Sequence, residues 1–553
     1  MVRVLLTLLA LFIGAVFAQK SIVETPYGRI EGFEHRISDG SKADVFLGVQ
    51  FATAERFEMP ERVSHWNGIK SATSYGPSCA RRKLHSAPRE NETFSEECLH
   101  MNIFTPKARA DRKGHPVLVF IFGGLFERGS PNYYSDFDEI SENFVRQGII
   151  FIAINHRLAA FGFFSTGDDV LPGNLGLWDQ KSALEFIREV IPSFGGDIDR
   201  ITVSGLSSGS ASVSALTISP HTNNLFHQAI HFSGSIFSQF ALYERVVNES
   251  FTLATQMGCE GASNDIKSCL KLRSVEEFTK AYEEIGLVKD RLLERRFYPR
   301  LDGVFFPSSF EKMLQSAPAK PTLAGLTTAE AGDWSGLRYI PVEKRANFGR
   351  EDLQQFIDLF CDGIAGLCAE MTEFYEAREE GDSAFYLTKL TQLVSDIAYV
   401  IPVIKEMSLK INLNWPVFLY LQEYYPQNEE RENVPIAGAF HSNEIDFLFG
   451  AVYRPKFEFN EDDKHFQRSF LGAVTSFVKA GQPQVDSLHW EPATRAHPTR
   501  NLRFGLKNSL SDEYFPKETE FWLKRLSPTA RGALFPWEAH KHPIAETQSR
   551  IDL

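Results

Sequence analysis

The stretch Ile201-Thr202-Val203-Ser204-Gly205-Leu206-Ser207-Ser208-Gly209-Ser210-Ala211-Ser212-Val213 constrains this chain more than any other. It opens with β-branched residues, passes through Gly205-Leu206-Ser207-Ser208-Gly209, and continues into small, helix-tolerant residues. A G-x-S-x-G pentapeptide between a strand and a helix predicts a sharp elbow. Residues without bulk beside the serine let strand and helix nearly touch. The turn lifts the Ser207 hydroxyl out of the backbone and aims the first helical N–H groups at the same spot. An alkoxide attacking a carbonyl needs both an exposed nucleophile and donors for the oxyanion. Chance supplies about 0.2 such pentapeptides in a chain of this length, so the motif counts only if a base, an acid and an oxyanion loop accompany it.

The sequence around the elbow alternates strand and helix patterns. Short apolar runs at 21–23, 28–32 and 45–50, punctuated by glycine, predict an N-terminal antiparallel part. Val117-Leu118-Val119-Phe120-Ile121-Phe122 is a continuous apolar run, the mark of a strand buried on both faces, and it breaks at Gly123-Gly124. A second such strand spans 149–154, a helix-period stretch spans 177–190, and Phe194-Gly195-Gly196-Asp197 turns into the elbow strand. This alternation predicts an α/β fold with a large, mainly parallel central sheet flanked by helices. Residues 265–290 and 349–380 read as amphipathic helical insertions over the end of the sheet where a substrate pocket would lie.

Residues 1–18 read as a secretory signal peptide: Arg3 is the positive n-region, 4–13 the apolar core, and Val16-Phe17-Ala18 a small-residue cleavage site before Gln19. No later stretch reads as a membrane anchor. Of the 553 residues, 43% are hydrophobic, and no linker, low-complexity tract or repeat cuts the chain, so residues 19–553 are expected to form a single domain. The net charge of −13 excludes nucleic acid as a partner, which needs a basic face. Six cysteines in an exported chain imply disulfides. Sequence leaves their connectivity open; pairing of neighbours would join Cys79 to Cys98, Cys259 to Cys269 and Cys361 to Cys368. Asn91-Glu92-Thr93 and Asn248-Glu249-Ser250 are glycosylation sequons.

An acid and then a histidine should follow the nucleophile in this kind of fold. Glu330, in Gly325-Leu326-Thr327-Thr328-Ala329-Glu330-Ala331-Gly332, falls just past the end of a β-prone segment. His441, in Ala439-Phe440-His441-Ser442-Asn443-Glu444, falls on a loop before an apolar segment. By themselves these positions leave other acids and histidines open.

Across nearly all of residues 19–553 the chain resembles the type-B carboxylesterases, the group that also contains cholinesterases and neuroligins. The likeness is carried by Phe46-Leu47-Gly48-Val49-Gln50-Phe51-Ala52, Ser95-Glu96-Glu97-Cys98-Leu99-His100-Met101-Asn102-Ile103, Asn155-His156-Arg157-Leu158, residues 172–179 and 194–197, the elbow, Pro299-Arg300-Leu301-Asp302-Gly303 and both loops above. The resemblance implies an α/β-hydrolase fold, with Ser207 as nucleophile, Glu330 as acid and His441 as base. It also implies Gly124, Leu125 and Ser208 as oxyanion donors, and supports Cys79–Cys98 and Cys259–Cys269. The implied activity is hydrolysis of small carboxylic esters through an acyl-serine intermediate, with no cofactor and no metal.

Three departures from the family pattern shape the functional reading. The oxyanion loop reads Phe122-Gly123-Gly124-Leu125, with Leu where glycine is usual. If that position requires φ > 0, Leu costs about 1–2 kcal/mol. Leu206 replaces the glutamate that commonly precedes the nucleophile, and the loop between Cys79 and Cys98 has no Trp for cation–π binding. Both point to uncharged substrates. The alternatives are a catalytically weak or inactive binding protein on an esterase fold, and an acyltransferase using the same triad. The terminal Arg550-Ile551-Asp552-Leu553 is similar to an endoplasmic-reticulum retention signal, so the expected location is extracellular or the lumen of that compartment.

Overall fold

The apolar run after His115 forms a strand buried along its whole length, His115–Ile121. Such a strand must be covered on both faces, which requires parallel neighbours and crossover helices. The computed structural model describes residues 19–81, 92–108, 113–286, 296–332, 337, 340–361, 364, 366–376, 380–426, 436–450, 452 and 458–535. Residues 1–18, Asn91, 287–295 and 550–553 lie outside these.

In chain order the strands of the main sheet are β1 (Lys20–Thr25), β2 (Gly28–Arg36), β3 (Lys42–Gln50), β4 (His100–Pro106), β5 (His115–Ile121), β6 (Ile150–Ile154), β7 (Gly196–Leu206), β8 (Gln228–Phe232), β9 (Thr322–Thr327), β10 (Val417–Gln422), β11 (Asn501–Phe504) and β12 (Ser509–Ser511). With the short strand Ile69–Ser71 on β2, the sheet has 13 strands among the described residues. Their order is β1-β2-β3-β4-β6-β5-β7-β8-β9-β10-β11-β12. β1 to β4 pair antiparallel, as the N-terminal pattern predicts. From β6 through β11 every pairing is parallel, and β12 closes the edge antiparallel. The result is the large, mainly parallel sheet of an α/β-hydrolase.

The helices used below are α1 (Leu175–Val190), α2 (Ser208–Ile218), α3 (Val246–Gln256), α4 (Ser263–Lys271), α5 (Val275–Ile285), α6 (Arg350–Cys361), α7 (Leu367–Glu376), α8 (Ser383–Ser395), α9 (Ile401–Asn412), α10 (Asn443–Phe449) and α11 (Glu461–Ala480). α2 packs on β5, β7 and β8, and α11 on β5 and β7. The stretch expected to be helical over 265–290 is two helices. Ser274 restarts the chain with a capping box, its hydroxyl accepting from Glu277 N–H while the Glu277 carboxylate takes Ser274 N–H. The stretch 349–380 is likewise split, into α6 and α7, by the Cys361–Cys368 disulfide. α5 packs on α3, and α6 and α7 both pack on α8. Cys79–Cys98 and Cys259–Cys269 are the other two bridges.

α8 and α9 run on through a π-helical segment, Asp396–Val400, just before Pro402, which has no N–H to give the ladder. Together they form the one helical stretch among the described residues long and apolar enough to cross a membrane, Ser383–Asn412. Its most apolar window is 83% buried inside the fold, so its composition reflects a core position.

Two of the resembling segments meet in one contact. Arg157, after β6, grips Asp179 of α1 through Nε and Nη2 at 2.8 and 2.7 Å, and its backbone N–H reaches the same carboxylate at 2.9 Å. Arg157 Nη1 also donates to the Glu58 carbonyl at 2.8 Å. The ion pair is buried, with side-chain exposures of 4% and 0%. Removing one partner strands an uncompensated charge. Asp179→Ala should therefore cost about 3–5 kcal/mol, read as a lower urea midpoint at unchanged slope.

Candidate active site

β7 ends at Leu206 and α2 begins at Ser208, leaving Ser207 alone to turn the chain, at φ 57° and ψ −121°. A non-glycine residue held there stores on the order of 1–3 kcal/mol of strain, a feature concentrated at functional sites. The turn closes only because its flanks are glycine. A Cβ on Gly205 would sit 2.3 Å from the Gly209 carbonyl oxygen, and one on Gly209 would sit 2.1 Å from that of Ile121. Ser207 N–H donates to the Phe232 carbonyl at the end of β8, at 2.9 Å. The amides of Ser208, Gly209 and Ser210 start α2 and have no carbonyl one turn back within the helix.

The loop after β5 runs alongside. Gly124, Leu125 and Phe126 take φ of 138°, 60° and 58°. The position occupied by Leu125 thus does require φ > 0, and the leucine bears that strain while buried. Glu127 and Arg128 N–H close the turn on the Gly124 carbonyl, both at 3.2 Å. Phe126 N–H reaches the Ser208 hydroxyl at 3.4 Å, linking this loop to the start of α2.

Glu330 follows β9 and His441 precedes α10. A short parallel bridge between Ala329 and Phe440 zips their loops together. Ala329 N–H donates to the Ala439 carbonyl at 2.8 Å, and His441 N–H to that of Glu330 at 3.1 Å. In consequence His441 Nδ1 lies 2.7 Å from Glu330 Oε2, with side-chain exposures of 3% and 0%. The other Glu330 oxygen accepts from Thr327 N–H at 2.7 Å and from the Ser233 hydroxyl at 2.6 Å. Ser207 and Glu330 are thus both tied to the carboxyl end of β8, the first through Phe232 and the second through Ser233. This is the edge at which open parallel sheets bind ligands.

Three neighbours were missed in the sequence. The Ser233 hydroxyl also lies 3.0 Å from Glu444 Oε1. Glu444 is fully buried on α10, and burial together with the nearby Glu330 charge pushes its pKa up to about 7. The Tyr399 ring, in the π-helical segment, packs against the His441 ring at 4.4 Å. Glu444 stands only three residues after His441, but an acid in the first turn of a helix is ordinarily solvated and carries no such signal. Of the expected modification sites, Asn248 is exposed on α3.

Because the folded state binds the Glu444 proton more tightly than the unfolded chain, the folded state loses stability as pH rises from about 4.5 through about 7. Glu444→Gln should flatten that window by on the order of 2 kcal/mol. Denaturant midpoints of both proteins at pH 5 and pH 8 measure it.

The model of the Carboxylesterase family matches residues 19–522. Gut esterase 1 of Caenorhabditis briggsae is 31% identical over 546 residues, covering 94% of this chain and 95% of that protein. Bile salt-activated lipase of Rattus norvegicus is 29% identical, covering 87% and 81%. A medium-chain fatty acyl-CoA hydrolase precursor of Anas platyrhynchos is 27% identical, covering 92% of each.

Proposed function

The chain belongs to the carboxylesterase family and hydrolyses carboxylic esters, and from that premise we propose that Ser207, Glu330 and His441 perform the reaction on small, uncharged substrates. The 2.7 Å contact between His441 Nδ1 and Glu330 Oε2 is the observation that carries this reading. A proton held on Nδ1 by that carboxylate leaves Nε2 as the base.

His441 takes the Ser207 proton as Oγ bonds to the ester carbonyl carbon. Glu330 steadies the imidazolium and is not itself protonated. The N–H groups of Gly124, Leu125 and Ser208 receive the developing oxyanion, in a buried site where such donors act strongly. Collapse breaks the carbon–oxygen bond, and His441 returns the proton to the departing alcohol. Water then attacks acyl-Ser207 by the same route and releases the acid. Leu206, buried and uncharged beside the nucleophile, supports neutral substrates over cationic ones. The site chemistry calls on no cofactor.

The three disulfides suit an oxidising compartment. We take the chain to be exported with its mature end at Gln19. Fractionation of cells expressing it with and without residues 550–553 separates secretion from retention.

Turnover of a short-chain nitrophenyl ester tests the assignment. Ser207→Ala should abolish it, and Glu330→Gln should lower kcat by about 10⁴-fold through loss of the imidazole tautomer. Full activity in Ser207→Ala refutes the assignment. Products formed with an added alcohol acceptor distinguish hydrolysis from acyl transfer.

Leu125→Gly keeps the backbone N–H and suits the observed φ. It should leave turnover of an acetyl ester within about 10-fold and raise that of bulkier acyl esters.

A further inference from the structure

Beneath the elbow lies a buried polar chain for which ester hydrolysis has no direct use. Glu406 and Lys410, one turn apart on α9, are 1% and 0% exposed. Lys410 Nζ lies 2.7 Å from Glu406 Oε1 as an ion-pair contact, and 3.2 Å from His231 Nε2 on β8. His231 Nδ1 lies 3.2 Å from the Ser210 hydroxyl on α2, which donates to the Gly234 carbonyl at 2.6 Å. The other Glu406 oxygen accepts from Ser214 of α2 at 2.7 Å and from Ser235 at 2.5 Å.

The donor directions follow from the charges. Burial and the Lys410 ammonium push the His231 pKa down to about 3, so the ring is neutral. Its Nε2 accepts from Lys410, which places the ring proton on Nδ1, facing Ser210. Each group then donates onward: Lys410 to His231, His231 to Ser210, Ser210 to Gly234. Burial by itself would raise the Glu406 pKa, but the charge and contacts of Lys410 keep it well below the usual carboxylate range.

The two ends of this network bracket one residue. Ser210 holds the Gly234 carbonyl, Glu406 holds the Ser235 hydroxyl, and between β8 and these anchors sits Ser233, which touches both Glu330 and Glu444. Gly234 also lies against the nucleophile: a Cβ there would fall 2.2 Å from the Ser207 carbonyl oxygen. An apolar cluster of equal volume would give comparable stability, because burying two charges is costly. The polar set supplies direction, which an apolar cluster cannot.

We propose that Lys410, His231 and Ser210, with Glu406 as counter-ion, are positioning residues that fix the Ser233–Gly234–Ser235 segment and thereby the spacing of Ser207 from the Glu330–His441 pair. The proposal rests on the triad assignment above. None of the four touches substrate; each acts through backbone and side-chain contacts to the segment that does the holding.

The test compares His231→Leu, His231→Gln and Ser210→Ala with wild type in ester hydrolysis, in the rate of organophosphate labelling of Ser207 and in thermal midpoint, all assayed well below melting. His231→Leu should lower kcat and the labelling rate about 10–100-fold with KM within about 3-fold, since small misplacements of a reacting group cost rate rather than binding. Ser210→Ala should lower both about 3–10-fold. His231→Gln can accept from Lys410 through its carbonyl and donate to Ser210 through its amide, and should return kcat to within about 3-fold of wild type. Folded His231→Leu and Ser210→Ala that keep wild-type kcat overturn the proposal, as does a Gln variant no better than Leu. Should His231→Leu fail to fold, Ser210→Ala and His231→Gln decide. Loss of the triad assignment reads differently, as wild-type turnover that survives Ser207→Ala.

Discussion

Burial of the central strands on both faces is the constraint from which the rest of the molecule follows. β5, β6 and β8 are buried at every position. Strands of that kind cannot face water, so helices must return the chain across the sheet, and each parallel strand delivers its carboxyl end to the same edge. Ser207 after β7, Ser233 after β8 and Glu330 after β9 are neighbours because their strands are neighbours. Side chains separated by more than a hundred residues converge by strand order alone.

Convergence would not suffice without a rigid second layer. Glu330 is held by Thr327 N–H and Ser233 while it contacts His441, so neither carboxylate oxygen is left to solvent. Glu444 adds a second carboxyl within reach of Ser233, and the low-dielectric setting favours one charge rather than two. Strain is concentrated here as well. Ser207, Leu125 and Phe126 all take positive φ without being glycine, and Ser233 and Ser442 do so beside them. Packing elsewhere in the fold sustains these conformations.

The parts of the site differ in how readable they were. The strand–turn–helix pattern around Ser207 was explicit because glycine spacing and β-branched residues act locally. Glu330 was visible on a loop past a β-prone segment and His441 on a loop before an apolar one, and the family resemblance singled them out among other acids and histidines. Ser233, Glu444 and Tyr399 carried no local mark: a serine after a strand, an acid in a helix and an aromatic in an apolar stretch are ordinary residues until the fold sets them around Glu330 and His441. The amphipathic insertions were legible as helical, but their division came from a capping box at Ser274 and a disulfide at Cys361.

By itself the sequence determined the antiparallel start, the buried parallel strands and the strand–turn–helix elbow, because each depends on propensity and periodicity within a few residues. Only the tertiary structure decided that the cysteines pair as neighbours, that the 125 position demands a left-handed backbone, and that Lys410, His231 and Ser210 form one line beneath the Ser207 turn. Those outcomes depend on distances between segments far apart in the chain, and such distances exist only once the sheet has set its strand order.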